Sequence, residues 1–221
     1  MSKLVAIVGD SGTGKSTGIK TLNPKETYTI NVSGKELPFR GRDKLYNTVN
    51  KNYKELEVSK DILALLKTLS EKAPEIKNIV IEDANYIMGF NLVNKATETG
   101  YTKFSIMAKD AVDLIQGAKK LRDDIVVFYM SHSEEVKDVD EIVGYKMRTC
   151  GKMVDSQIKM EGLFTVILYT FVENKNDKAE FSFITNHFKK LPAKSPQGMF
   201  DTVKIPNDLQ LVTDKVREYY S

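Results

Sequence analysis

The stretch Leu4 to Thr17, LVAIVGDSGTGKST, constrains this chain more than any other. Five apolar residues, Leu4 to Val8, read as a short buried parallel strand stopped by glycine. Gly9-Asp10-Ser11-Gly12-Thr13-Gly14-Lys15-Ser16 then fits the pattern G-x-x-x-x-G-K-[ST] at every fixed position. A phosphate chain has to be wrapped by backbone N–H groups, so the tight bends must lack side chains. Gly9, Gly12 and Gly14 are expected to let the backbone approach closely and take positive φ. A helix starting near Lys15 would point its positive end at the β-phosphate. Lys15 would reach the β- and γ-phosphates, Ser16 would ligate Mg²⁺, and Thr17 would meet the α-phosphate. The chain is therefore expected to bind a nucleoside triphosphate with Mg²⁺.

Size and composition narrow the remaining options. At 221 residues and 41% apolar content, one generous domain with a full core is expected. No stretch approaches the ~20 apolar residues that span a bilayer, so no membrane partner is expected. Met1-Ser2-Lys3 runs straight into the first strand without a signal-peptide pattern. One cysteine, Cys150, excludes a disulfide framework and a cysteine-based zinc site. Together these features predict a reducing, cytoplasmic setting. With a net charge of only +3, a nucleic-acid surface would have to be local.

Along the chain, strand and helix patterns alternate. A helix over Lys15 to Leu22 is closed by Asn23-Pro24, and Thr27 to Val32 is a β-branched strand. Ser33 to Lys54 has neither period and carries a scatter of cations, Lys35, Arg40, Arg42, Lys44, Lys51 and Lys54, so a long loop is expected. Ser59 caps a helix running to Ala73, Ile79 to Ile81 is a buried strand, and helices follow over Asn85 to Thr97 and from Thr102. Ile125 to Met130 is a fully apolar strand ending in Ser131-His132-Ser133. Glu134 to Gly144 reads as an acidic loop, and Gly151 to Glu161 as a short helix. Leu163 to Val172 and Ala179 to Thr185 form an antiparallel hairpin, followed by a basic segment, Lys189 to Pro196, and a helix over Leu209 to Tyr220. The fold class is thus α/β, a mostly parallel sheet extended by a C-terminal antiparallel hairpin.

A triphosphatase needs a carboxylate at the end of a neighbouring strand. Asn78-Ile79-Val80-Ile81-Glu82-Asp83 supplies two. Position in the strand gives Glu82 the metal role and Asp83 the water-positioning role, with the exchange of roles left open. His132, at the end of the next apolar strand, is a candidate γ-phosphate sensor. Asn174-Lys175-Asn176-Asp177 reads N-K-x-D, like a guanine-recognition element, but no D-x-x-G follows the Ile79 strand and the next segment is a strand. Asn and Asp are also turn residues, so a hairpin turn is expected there.

The chain resembles a family of phage-encoded P-loop ATPases with a RecA-like core, linked to DNA recombination and single-strand annealing. The resemblance spans nearly the whole chain. It rests on GDSGTGKST, IVIEDANYIM, GYTKF, LRDDIVVFYMSHSEE, TCGKMVD, EGLFTVILYT, AKSPQGMF and IPNDL in that order. One departure is Glu82, where the family carries aspartate. The resemblance implies a three-layer RecA-like P-loop domain over 1–221, with 187–221 as a C-terminal extension of it. It also implies ATP and Mg²⁺, and single-stranded DNA as partner. It further implies self-assembly into a ring or filament in the host cytoplasm, with a phage single-strand-binding protein as a further candidate partner. A basic residue acting across the subunit boundary is expected after the terminal hairpin, and Lys194 is the candidate, with Arg148 and Lys152 as alternates. The DNA-binding region falls at Glu134 to Lys159, where Tyr145, Lys146, Arg148 and Lys152 combine a stacking ring with cations.

Two other functions fit the phosphate loop. A small nucleotide kinase would need an arginine-rich lid, whereas the five arginines, Arg40, Arg42, Arg122, Arg148 and Arg217, are scattered. The other is a nucleotide-binding accessory protein that does not hydrolyse, which the absence of ATP turnover would mark.

Overall fold

The computed structural model describes residues 1–156 and 158–221. The strands are β1 (Lys3–Gly9), β2 (Thr27–Asn31), β3 (Tyr53–Glu55), β4 (Asn78–Glu82), β5 (Val126–Asp138), β6 (Glu141–Met147), β7 (Val166–Lys175), β8 (Lys178–Ile184) and β9 (Lys204–Pro206). The helices are α1 (Arg42–Leu45), α2 (Ser59–Lys72), α3 (Tyr86–Asn94), α4 (Thr102–Lys119), α5 (Lys152–Asp155) and α6 (Leu209–Tyr220), with 3-10 turns at Ser16–Thr21 and Met160–Leu163. The strand order is β3-β2-β4-β5-β1-β7-β8-β9, and β6 pairs with the outer part of β5. From β3 to β7 every neighbouring pair is parallel, while β8, β9 and β6 are antiparallel to their partners.

The central strands are apolar at consecutive positions because both faces are covered. Leu4, Ala6 and Val8 of β1 face one core with Ile62, Leu66, Met107 and Leu114 of α2 and α4. Val5 and Ile7 face the other, with Ile19, Phe183, Leu209, Val212 and Val216. Two layers of helix thus enclose the sheet, a three-layer α/β arrangement with a mostly parallel core and an antiparallel hairpin. The segment beyond residue 187 contributes β9 to the same sheet and α6 to the second core.

Several local expectations are corrected. The helix after the phosphate loop is a six-residue 3-10 turn, Ser16–Thr21. Ser59 is the first helical residue and Val58 the cap, and Tyr101, not Thr102, precedes α4; neither side chain makes a cap bond. The acidic loop over Glu134 to Gly144 is instead an antiparallel arm, in which β5 runs 13 residues and turns at Val139 into β6. Its outer half is exposed on both faces, so no apolar alternation marks it as strand. Lys146 on β6 meets Glu134 on β5 at 3.4 Å, a cross-strand charge pair that supports the ladder. The helix expected over Gly151 to Glu161 is divided between α5 and the second 3-10 turn, and Gln157 within it lies outside the described residues. Asn176 and Asp177, at φ 50° and 60°, form the two-residue turn of the β7–β8 hairpin, which is what the N-K-x-D stretch encodes.

Parallel strands deliver their C-terminal ends to one edge, where α/β sheets place their ligands. Register puts Gly9 opposite His132, and Asn31 opposite Glu82. Because β5 lies between β1 and β4, His132 stands between the phosphate loop and the acid pair.

Candidate active site

The loop after β1 has the backbone that its glycines permit. Gly12 and Gly14 take φ of 77° and 93°, a region costly for any residue with a Cβ. Gly9 is needed for another reason and does not take positive φ. A Cβ there would lie 1.7 Å from Thr170 Oγ1 on β7. Thr170 Oγ1 in turn lies 2.6 Å from Thr13 Oγ1, which donates to the Asp10 carbonyl at 2.6 Å. Asp10 is exposed, and its Oδ1 accepts the Ser11 N–H at 2.8 Å. Thr17 is half-buried in the 3-10 turn. We expect Gly9→Ala to cost about 1–3 kcal/mol of stability through overpacking, and Thr170→Ala in the same chain to restore much of it. Chemical denaturation of the single and double variants measures this, and equal losses in both would place the strain elsewhere.

Lys15 is buried, and its ammonium donates to the carbonyls of Gly9 at 2.8 Å and Asp10 at 3.0 Å. Its Nζ also lies 3.5 Å from His132 Nδ1. Burial lowers the Lys15 pKa, and the charges of Glu82 and Asp83 counter that only in part. Ser16 Oγ donates to Glu82 Oε1. The other oxygen, Glu82 Oε2, is buried with no hydrogen-bond partner among the described residues. Burial, reinforced by the charge of Asp83, pushes the Glu82 carboxyl up to about 7.

Asp83 is fully buried and sits at φ 56°. A left-handed, non-glycine residue at the turn after a strand is strained, and such strain gathers at functional sites. Burial opposes ionisation of Asp83, but favourable interactions with His132, Lys35 and Ser33 outweigh it and hold the carboxyl well below the usual range. Asp83 Oδ2 lies 2.8 Å from Lys35 Nζ, and Oδ1 lies 3.5 Å from His132 Nε2. His132 is fixed by its backbone N–H, which donates to Asn85 Oδ1 at 3.0 Å, and by a T-shaped contact with the Tyr86 ring. The structure therefore brings Lys15, Ser16, Glu82, Asp83 and His132 into one buried constellation at the sheet edge.

A Mg²⁺ ion fits this donor set. It takes hard oxygen ligands, commonly one or two carboxylates beside substrate phosphates. Ser16 Oγ, Glu82 Oε1 and the unpartnered Oε2 are oxygens of that kind.

The remaining candidates lie outside the constellation. Lys194 pairs through its backbone with Ile167 on β7, and its ammonium donates to the Glu161 carbonyl at 2.9 Å. Tyr145 lines a cleft of about 480 Å³ beside Gly9, Asp10 and Thr13, together with Phe171, Lys189 and Lys190. Lys146 is ion-paired with Asp155 and Glu134. Arg148 and Lys152 present exposed side chains, and the Arg148 N–H donates to the His132 carbonyl at 2.9 Å.

Sequence reasoning missed four residues. Thr170 sets the close approach at Gly9. Asn207 Nδ2 donates to the Gly14 carbonyl at 2.9 Å, so the IPND segment braces the phosphate loop. Asn85 orients His132, and its place inside IVIEDANYIM was the available signal. Lys35 lies in a segment read only as a basic loop, and nothing in the local sequence ties it to Asp83.

No protein-family model matches the chain, and no curated protein sequence matches it. Among solved structures, one match is a KaiC-like protein from the hyperthermophilic archaeon Pyrococcus horikoshii OT3. It has 10% identity and a TM-score of 0.47, over 92% of this chain and 84% of that one.

Proposed function

We propose that this chain is a Mg²⁺-dependent ATPase. The observation that carries the reading is the convergence of Lys15, Ser16, Glu82, Asp83 and His132 on the glycine loop at one sheet edge. Loop N–H groups and Lys15 would hold the β- and γ-phosphates. Ser16 and Glu82 would hold the Mg²⁺, which when bound neutralises charge on the β- and γ-oxygens. Asp83 would orient the attacking water. Its depressed pKa suits it to accept a hydrogen bond as a carboxylate, more than to remove a proton outright. His132, between Asp83 and Lys15, would register the terminal phosphate. ATP turnover measured alone, with single-stranded DNA and with nucleoside monophosphates tests the reading. Phosphate release without monophosphate supports an ATPase, and transfer to a monophosphate would make the chain a kinase. The kinase reading has little support in the site: Arg122 is spent on carbonyls at the end of α2 and Arg217 on the Lys77 carbonyl.

The finer reading is a phage protein of DNA recombination or replication acting on single-stranded DNA as a ring or filament. Its support is the motif resemblance, together with an arm that extends the His132 strand and carries Tyr145 into a cleft beside the phosphate loop. In such an assembly Lys194 would serve the neighbouring subunit's ATP. On this reading Arg148 and Lys152 are the phosphate-contacting cations, since Lys146 is held by two carboxylates. Replacing both by alanine should flatten the salt dependence of single-strand binding by about 1.4, at roughly 0.7 per phosphate contact. Tyr145→Ala should weaken binding with the slope unchanged, because stacking releases no counterions. Filter binding over a salt series reads both, and an unaltered slope in the double variant would move the DNA off this arm.

A further inference from the structure

The segment after β2 brings a second cation to the acid pair. Asn31, the last residue of β2 and fully buried, donates through Nδ2 to the Lys35 carbonyl at 2.7 Å. Its Oδ1 accepts the Gly34 N–H at 3.1 Å and the Ser33 hydroxyl at 3.3 Å. One side-chain amide thus ties the turn 33–35 to the strand end that faces Glu82 in register. Farther along, Leu37 and Tyr46 are buried in the second core, and the Tyr46 hydroxyl donates to the Ile19 carbonyl at 3.2 Å. The base of Lys35 is therefore fixed at both ends, while its side chain is half-exposed. Among the described residues, Lys35 is the one lysine or arginine ion-paired with either acid. From Lys35 the contacts run in series: 2.8 Å to Asp83, 3.5 Å from Asp83 to His132, and 3.5 Å from His132 to Lys15.

We infer that Lys35 is the chain's own second ligand for the terminal phosphate of a bound triphosphate. This rests on the reading of the site as a triphosphate site. A γ-phosphate gripped by Lys15 sits against the Asp83–His132 pair, and Lys35 reaches that pair from the other side. Half-exposed and flexible, the lysine can turn from Asp83 Oδ2 to a phosphate oxygen without moving its anchored backbone. During hydrolysis the water oxygen bonds to Pγ, and the bond from Pγ to the bridging oxygen breaks with its electron pair left on ADP. One water proton stays on the released phosphate and the other passes to solvent. Lys35 stabilises the charge on the equatorial oxygens throughout, the task that a basic residue from a second subunit performs elsewhere. A diphosphate leaves Lys35 without its ligand, so the residue discriminates ATP from ADP.

The experiment compares Mg²⁺-dependent binding of ADP and of the slowly hydrolysed analogue ATPγS, alongside ATP turnover. Lys35→Ala should lose roughly 10- to 100-fold in ATPγS affinity, the worth of a charge-assisted hydrogen bond, with ADP affinity unchanged. Turnover should fall on the order of 10²-fold, and Lys35→Arg should recover part of each. Removing Lys35 leaves Asp83 buried without its ion-pair partner, so the comparison is repeated in an Asp83→Asn background. Asparagine tolerates the left-handed backbone there. Adding Lys35→Ala to Asp83→Asn should still cost ATPγS affinity. If it costs none, Lys35 is only the counter-ion of Asp83 and the inference is overturned. A wild-type protein that binds ATPγS but does not hydrolyse ATP overturns the ATPase reading alone, and the ratio of the two affinities still decides Lys35. A wild-type protein that binds neither nucleotide overturns both.

Discussion

Lys15→Ala is expected to lower ATP turnover by on the order of 10²- to 10³-fold, the cost of removing one pre-placed group from developing charge, while the protein stays folded. Lys15 is the cation nearest the loop itself, held by the Gly9 and Asp10 carbonyls over the concave backbone. Its position is set before any phosphate arrives, so its charge acts without reorganisation at the moment of reaction. Stability should survive because the ammonium is buried at a desolvation cost that already lowers its pKa, and that cost disappears with the charge. Lys35 remains on Asp83, so the acid pair keeps a counter-ion. Lys15→Arg should not rescue, because a planar fork does not fit a site shaped for a compact ammonium. Turnover and thermal melting of the three proteins decide the matter. A folded Lys15→Ala protein with undiminished turnover would remove the loop from the chemistry.

The phosphate loop, the acid pair and His132 were legible in the sequence because each ends an apolar strand. Strand ends are local signals, and a parallel sheet gathers them at one edge whatever the order of strands. The central strands and α6 were legible for a related reason, since period and turn residues mark them without reference to distant partners. What failed to show was long-range. Lys35 meets Asp83 because a segment of about twenty residues, without helical or strand period, is pinned by Asn31 at one end and Tyr46 farther along. Thr170 and Asn207 lie more than 150 residues from the loop they support. The β5–β6 arm was misread because its charges looked like a loop, when Glu134 and Lys146 are cross-strand partners. The contact of Lys194 with Glu161 was equally invisible, because it depends on a single backbone bridge to β7.

The second large effect is on stability, and it comes from Glu82. In the folded protein its carboxyl titrates near 7, against an ordinary value of 4.5. Below pH 4.5 the group is protonated in both the folded and the unfolded chain and favours neither. Between 4.5 and 7 the unfolded chain gives up the proton while the folded protein keeps it. Each step up in pH therefore favours unfolding, and the loss is complete above pH 7. At roughly 1.4 kcal/mol per pH unit, the fall amounts to about 3 kcal/mol. Asp83 does not confuse this window, because its depressed pKa adds stability above the ordinary carboxylate value and loses it only in stronger acid. Glu82→Gln keeps the acceptor for Ser16 Oγ but cannot titrate, so the part of the wild-type decline between pH 5 and 8 that comes from Glu82 should be absent from it. The unpartnered amide of the new glutamine costs about 1–3 kcal/mol, equally at every pH, so the slope and not the absolute value carries the test. Mg²⁺ with a triphosphate should abolish the wild-type decline by binding the ionised carboxylate, and should leave the pH slope of the glutamine variant unchanged, whatever uniform stabilisation binding gives it. Denaturant midpoints at pH 5.5 and 8.0, in chelator and then in Mg²⁺ with ATPγS, measure all four cases. Parallel slopes for the two proteins in chelator would mean that Glu82 is ionised in the folded state without a metal, and would remove the coupling between this carboxylate and the cation site.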